Sequence, residues 1–148
     1  MKVGSFCSIA AGVMAIILND HHTEWISTYP FSKAVGWPAP NPVRRQNPHI
    51  KIGNDVWIGQ NAVLLEGTDI RDGSVIGSYS VVVGEIPEYS VAVGNPAKVV
   101  KERFPRYYIN ALLEIEWWNW PDEKIKEYAP LLCSSDIDAF LAKVKEDS

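Results

Sequence analysis

Cysteine, histidine and net positive charge are all scarce in this chain of 148 residues. Its two cysteines, Cys7 and Cys133, lie far apart and offer no paired spacing for zinc or a redox motif. Two reduced thiols in a cytoplasmic protein are therefore expected. Lys and Arg total 14 against 18 Asp and Glu, a formal net charge of -4. That balance argues against nucleic acid as a partner, because such binding rests on neutralising phosphates. No apolar run reaches the roughly 18 residues of a membrane span. The longest, Val13 to Leu18, stops at Asn19-Asp20. No basic-then-apolar leader is read at the start, so no membrane partner is expected. What is present is a 47% hydrophobic composition, which excludes disorder, in a length suited to one ordinary domain. Tryptophan is abundant, with six residues, three of them at Trp117, Trp118 and Trp120.

A period of six runs through the first two thirds. Val3 and Ile9, then Ile52, Ile58, Leu64, Ile70, Ile76 and Val82, share one phase on each side of a break. All eight are aliphatic, although Leu, Ile and Val make up only 37 of 148 residues. Chance would give that about once in 10⁵ trials for a fixed phase. Four places after each stand Cys7, Val13, Val56, Ala62, Thr68, Ser74, Ser80 and Ile86, small or β-branched, with Ile86 the one larger exception. Six fits neither an α-helix nor the two-residue alternation of a strand. It fits a three-sided coil that points an aliphatic residue inward on every side, with a small residue near each turn. Stacked coils then bury their aliphatic layers on one another. Ordinary strands with glycine turns would not keep so regular a period. The pattern resembles the hexapeptide-repeat acyltransferases, which implies a left-handed parallel β-helix. The hand comes from the resemblance, since the general crossover rule favours the opposite one.

Residues 19–49 break the period and carry Pro30, Pro38, Pro40, Pro42 and Pro48, which rules out a regular ladder. The segment holds all three histidines, His21, His22 and His49, with Trp25, Tyr29, Phe31 and Trp37, and reads as a packed binding loop. After Gly94, Phe104, Tyr108, Ile109, Leu112, Leu113 and Trp117 follow helical spacing. Pro121 suits a first helical turn with Asp122 and Glu123 at its positive end, and Ser135 is the candidate cap of a last helix. The expected architecture is an all-β core, a left-handed parallel β-helix over 1–98 with an inserted loop at 19–49. An α-helical extension of two or three helices follows over 99–148. The Trp cluster is expected to pack against the coils or a neighbouring subunit.

Imidazole is the side chain best suited to take a proton near neutral pH, which makes the His21-His22 pair the first candidate for chemistry. The stretches VGSFCSIAAGV, NDHHTEWISTYPF, IGNDVWIG, GNPAK and EIEWWNWP together are similar to the xenobiotic branch of the hexapeptide acetyltransferases, the chloramphenicol and streptogramin type. That resemblance implies direct acetyl-CoA-dependent O-acetylation of a small acceptor, an antibiotic or a sugar. It implies His22 as catalytic base, five residues before Ser27 of STYPF, with His21 pointing elsewhere and Glu24 or a main-chain carbonyl orienting the ring. It further implies Trp57 projecting outward beside the thioester end of acetyl-CoA, Gly59 and Ser78 along the pantetheine groove, and Lys98, Lys101 and Arg103 near the phosphates. Tyr29 and Pro30 would face the acceptor. A homotrimer with the site between subunits is implied, and no metal. The chain departs from the family at Val83-Gly84, where a Thr or Lys pair is common, and in having only two repeats before the loop. Two other readings compete. A metal hydratase of the γ-type carbonic anhydrase kind needs three converging histidines, whereas all three here lie in the loop and His21 and His22 diverge as neighbours. A non-catalytic β-helix, shortened at its start, is the other.

Overall fold

A computed structural model describes residues 1–17, 21–40 and 49–147. Each six-residue unit forms a strand of two or three residues and a corner, so three successive units close one triangular coil. One side of the prism, sheet A, stacks β1 (Lys2–Val3), β4 (Lys51–Ile52), β7 (Asp69–Ile70) and β10 (Glu85–Ile86). Sheet B stacks β2 (Ser8–Ile9), β5 (Trp57–Ile58), β8 (Val75–Ile76) and β11 (Ser90–Gly94). Sheet C stacks β3 (Met14–Ile16), β6 (Val63–Leu65) and β9 (Val81–Val82). All of these pairings are parallel and in register.

The register builds three inward columns: Val3, Ile52, Ile70 and Ile86; Ile9, Ile58, Ile76 and Ala92; Ala15, Leu64 and Val82. From the second coil onward these side chains are buried, and they form one continuous core. Full burial of each Ile, Leu or Val is worth about 1.5–3 kcal/mol. Val3 and Ile9 stay 45% and 46% exposed because the first coil has a neighbour on one side only. Ile86 is not an exception to the small-residue series. The corner through Val83-Gly84 is two residues shorter than the others, so Ile86 takes the next inward strand position, paired with Ile70.

The small residues four places on do more than ease the turn. Val56, Ala62, Thr68, Ser74 and Ser80 all face the interior. Their hydroxyls are satisfied by the neighbouring coil: Thr68 Oγ1 donates to the Val82 carbonyl (2.9 Å), Ser74 Oγ to that of Pro87 (2.7 Å), and Ser80 Oγ accepts from the Gly94 amide (3.1 Å). The corner between sheets A and B turns through left-handed residues stacked one per coil: Phe6, Asp55, Gly73 and Tyr89. Their amides bridge the coils, Asp55 to the Ser5 carbonyl, Gly73 to Asn54 and Tyr89 to Asp72, at 2.8–2.9 Å.

A strand stands where the helical extension was expected to begin. β12 (Ala97–Glu102) turns back after the cis Asn95–Pro96 bond and pairs antiparallel with β11, so it runs across residues 98 and 99. The β-branched pair Val99-Val100 and a tight turn favour that hairpin. Helices α2 (Arg106–Ile115), α3 (Asp122–Leu132) and α4 (Ile137–Glu146) follow, with a 3-10 turn at Trp117–Asn119; α1 (Phe31–Val35) lies between β3 and β4 in the chain, and the remainder of the expected loop, 19–20 and 41–48, lies outside the described residues. Asp136, not Ser135, caps α4, its Oδ1 accepting from the Ala139 amide at 2.9 Å. Ser135 offers only its carbonyl, to the Ile137 amide. Ile109, Leu112, Tyr128 and Phe140 form a second core against Tyr89, and Trp117 reaches Phe6 of the first coil at 5.0 Å. The tail thereby covers the corner between sheets A and B, and the Trp cluster serves packing.

Packing depth sets the cost of truncation. Ile76→Ala is expected to lower unfolding free energy by about 2–5 kcal/mol, and Val3→Ala by less than about 1 kcal/mol, measured by urea unfolding. Equal losses at the two sites would contradict this difference in packing.

Candidate functional site

Outward residues alternate with the core columns, so the register that builds the core also aligns the surface. On sheet B, Ser8, Trp57, Val75, Val91 and Lys101 stand in line across β2, β5, β8, β11 and β12. Three strand spacings separate Trp57 from Lys101, about 14 Å. The Trp57 indole is 57% exposed, being too large for the prism interior. Beside this line runs a second one through Gly59, Gly77, Val93 and Lys98. The Gly59 amide donates to the Ile76 carbonyl and that of Gly77 to Ala92, and Val93 pairs with Lys98. A Cβ at Gly59 would lie 2.5 Å from the Ser78 amide nitrogen, so only glycine admits this approach of adjacent coils. A bulge opposite Val91 and Ala92 puts Lys98 and Lys101, three residues apart, on one face. The structure therefore gathers Trp57, Gly59, Lys98 and Lys101 along sheet B, with Ser78 in the corner that follows β8, its amide against Gly59.

Arg103 does not join them. Its Nη1 donates to the Gly73 carbonyl at 2.5 Å and meets Asp55 Oδ2 at 3.5 Å, and the guanidinium lies over the Tyr89 and Phe104 rings at 5.3 and 5.1 Å. Burial pushes the Asp55 carboxyl above the usual range, and Arg103 pulls it back. Arg103 thus tethers the tail to the corner. The sequence reading missed this seam. Its signal was available in the Asn54-Asp55 and Asp72-Gly73 pairs, each two residues ahead of a sheet B strand.

In the loop, His22 Nδ1 lies 2.6 Å from Glu24 Oε1, and the imidazole stacks on Trp25 with centroids 4.3 Å apart and planes 11° off parallel. Glu24 is held below the usual carboxylate range by its own amide first and by this bond second. A neutral imidazole that donates Nδ1–H to a carboxylate keeps Nε2 as proton acceptor, the arrangement a general base needs. His21 turns instead to the Thr28 carbonyl, Nδ1 to oxygen 2.7 Å. Tyr29 and Pro30 lead into α1, with Tyr29 edge-on to Phe31 at 4.9 Å and Phe31 stacked on Trp37 at 5.5 Å. These contacts hold the segment to itself; none of them joins His22 to the Trp57 line. Among the described residues no group of three His, Cys, Asp or Glu side chains is placed to hold a metal ion.

Residues 49–84 match the family model of the bacterial transferase hexapeptide (six repeats). The chain is 44% identical over 140 residues to a chloramphenicol acetyltransferase of Morganella morganii, covering 91% of this chain and 67% of that one. It is 43% identical over 137 residues to the probable macrolide acetyltransferase of Lysinibacillus sphaericus, covering 89% of this chain and 76% of that one. Among solved structures, galactoside acetyltransferase in complex with coenzyme A is 31% identical with a TM-score of 0.52, over 70% of this chain and 46% of that one.

The hydrogen bond to Glu24 makes a prediction about tautomers. Imidazole ¹⁵N spectra of neutral His22 are expected to show the proton on Nδ1, and Glu24→Ala to return it toward the Nε2–H form. A wild-type Nε2–H tautomer would contradict the base geometry.

Proposed function

The chain belongs to the bacterial hexapeptide-repeat acetyltransferases that use acetyl-CoA, and on that premise we propose that it transfers the acetyl group directly to a hydroxyl of a small acceptor. The observation that carries this reading is the alignment of Trp57, Gly59, Lys98 and Lys101 along the outer face of sheet B, with Ser78 at the adjoining corner. The two lysines suit the phosphates of the co-substrate, the glycine line lets an extended arm lie close to the backbone, and Trp57 covers the far end. Arg103, already committed to Asp55 and Gly73, supports the strand that presents the lysines.

Acetyl-CoA supplies an acyl group activated as a thioester. His22 Nε2 would take the proton of the acceptor hydroxyl as its oxygen attacks the carbonyl, and return it to the departing thiolate, so that free CoA leaves as the thiol. Glu24 fixes the ring and stabilises the imidazolium formed on the way. The acceptor would lie on Tyr29 and Pro30, beside the Phe31–Trp37 stack, which suits a molecule with a flat or apolar face. The relatives' names, for chloramphenicol, macrolides and a galactoside, support hydroxylated acceptors, antibiotic or sugar. No metal has a part in this chemistry, and the reading places the protein in the cytoplasm, where acetyl-CoA is made.

A second copy completes the site. We take the coil as left-handed, with the outer face of sheet C as the subunit contact. Met14, Ile16 and Val83 there are 43–53% exposed, next to half-buried Val63, Leu65 and Val81. Sheet A carries Lys2, Lys51, Asp69 and Glu85 instead, with Arg71 linking the last two at 3.6 and 2.8 Å. An apolar sheet face beside a charged one marks the side that is covered. Three copies around a threefold axis would bring the His22 segment of one against sheet B of the next.

Release of free CoA, followed with a thiol reagent across drugs and sugars, tests the chemistry. His22→Ala should lower kcat about 10²- to 10⁴-fold and leave CoA binding intact; survival of wild-type turnover rejects the base. Leu65→Glu should convert a trimer into inactive monomers by light scattering, and an active wild-type monomer of 16.5 kDa would reject the shared site.

A further inference from the structure

Among the described residues, three aromatics adopt the left-handed backbone conformation: Phe6, Tyr79 and Tyr89, with φ of 57°, 59° and 48°. Side chains of this size are rarely found there, because the Cβ crowds the neighbouring carbonyl. Packing accounts for two of them. Phe6 meets Trp117 at 5.0 Å, and Tyr89 is buried in the second core. Packing does not account for Tyr79, which is 70% exposed. Its place in the fold sharpens the contrast. Tyr79 stands at the corner between sheets B and C, where Gly12 and Asn61 take the same conformation on the two preceding coils, with φ of 75° and 56°. The amides of Asn61 and Tyr79 donate one coil back, to the carbonyls of Ala11 and Gln60. Glycine and asparagine suit such a turn, whereas tyrosine is strained in it. Strain of this kind is a mark of a residue kept for a ligand.

We propose that the Tyr79 ring covers the pantetheine arm of acetyl-CoA, an inference that rests on the reading of sheet B as the co-substrate face. Tyr79 directly follows Ser78, whose amide nitrogen is the atom that a Cβ at Gly59 would meet at 2.5 Å. It therefore stands beside the close approach of coils along which the arm runs. In height it belongs to the coil of β8, one strand spacing, about 5 Å, beyond Trp57, and two spacings, about 10 Å, short of the lysines on β12. That is the span between the thioester and the phosphates. The sheet is apolar there: Val93, 39% exposed, has its Cγ1 2.7 Å from where a Cβ of Gly77 would lie, and Val75 and Val91 are half-buried. The arm carries methylenes, two amides and a pair of geminal methyls, but no charge. An aromatic ring suits that surface, as a third lysine would not.

The probe is CoA itself, titrated by calorimetry into the full chain and its variants. Wild type should bind saturably. Tyr79→Asn should weaken CoA about 10-fold, the share of roughly 55 Å² of apolar surface, and Tyr79→Phe should keep the affinity because it keeps the ring. In proton NOE spectra of the wild-type complex, the Tyr79 ring should contact the geminal methyls of the arm. Without ligand, Tyr79→Asn should unfold about 2–4 °C higher, since asparagine tolerates the left-handed turn, and should keep the subunit count of the wild type by light scattering. Equal affinity in Tyr79→Asn, an equal loss in Tyr79→Phe, NOEs from the ring to adenine protons instead, a lower unfolding temperature or a changed subunit count would each overturn the proposal and leave the co-substrate face standing. Absence of CoA binding by the wild type would overturn both. None of these readouts needs an acceptor.

Discussion

Every inward aliphatic side chain in this protein rests on its counterpart one coil away, and that vertical contact sets everything else. Ile58 sits on Ile76, Ile52 on Ile70 and Leu64 on Val82, all in register and nearly free of solvent. A slip by one residue would turn the whole layer outward, so the buried columns lock the register. Once locked, the outward residues have no freedom of placement either. Residues far apart in the chain, such as Trp57 and Lys101, become neighbours in a line because their strands share one ladder.

The prism then divides its labour by side. Sheet A presents a ladder of charges to solvent, sheet C an apolar face, and sheet B an aromatic residue, a lane of glycines and two lysines. The corner between A and B is the remaining asset. Its left-handed residues stack into a seam on which Arg103, Tyr89 and Trp117 anchor the tail. The tail covers one edge of the coils and leaves the sheet B face open.

Much of this was legible because a six-residue period has few structural solutions. The coil, the inward residues and the outward Trp57 follow from spacing and size alone. Ile86 was misplaced because periodicity assumes equal corners, and the corner at Val83-Gly84 is shorter. β12 escaped notice because a single antiparallel hairpin carries no repeat, and Val99-Val100 were its only local sign. Asp136 displaced Ser135 as a cap within the usual uncertainty of helix ends. Arg103 looked like a third phosphate ligand by proximity in sequence; its side chain goes to the half-buried Asp55 carboxylate and the Gly73 carbonyl, which only the folded corner brings near. The pairing of His22 with Glu24 was readable, since two residues suffice for the contact. Where that pair lies relative to sheet B is not encoded by the periodicity of the coils.

The central claim is that coil register builds the acetyl-CoA lane on sheet B. A crystal structure of the protein with CoA tests it most directly. The account predicts phosphates at Lys98 and Lys101, the pantetheine arm along Gly59 and Ser78, and the thiol end at Trp57. CoA lying on the charged face of sheet A, or under the helical tail, would contradict it.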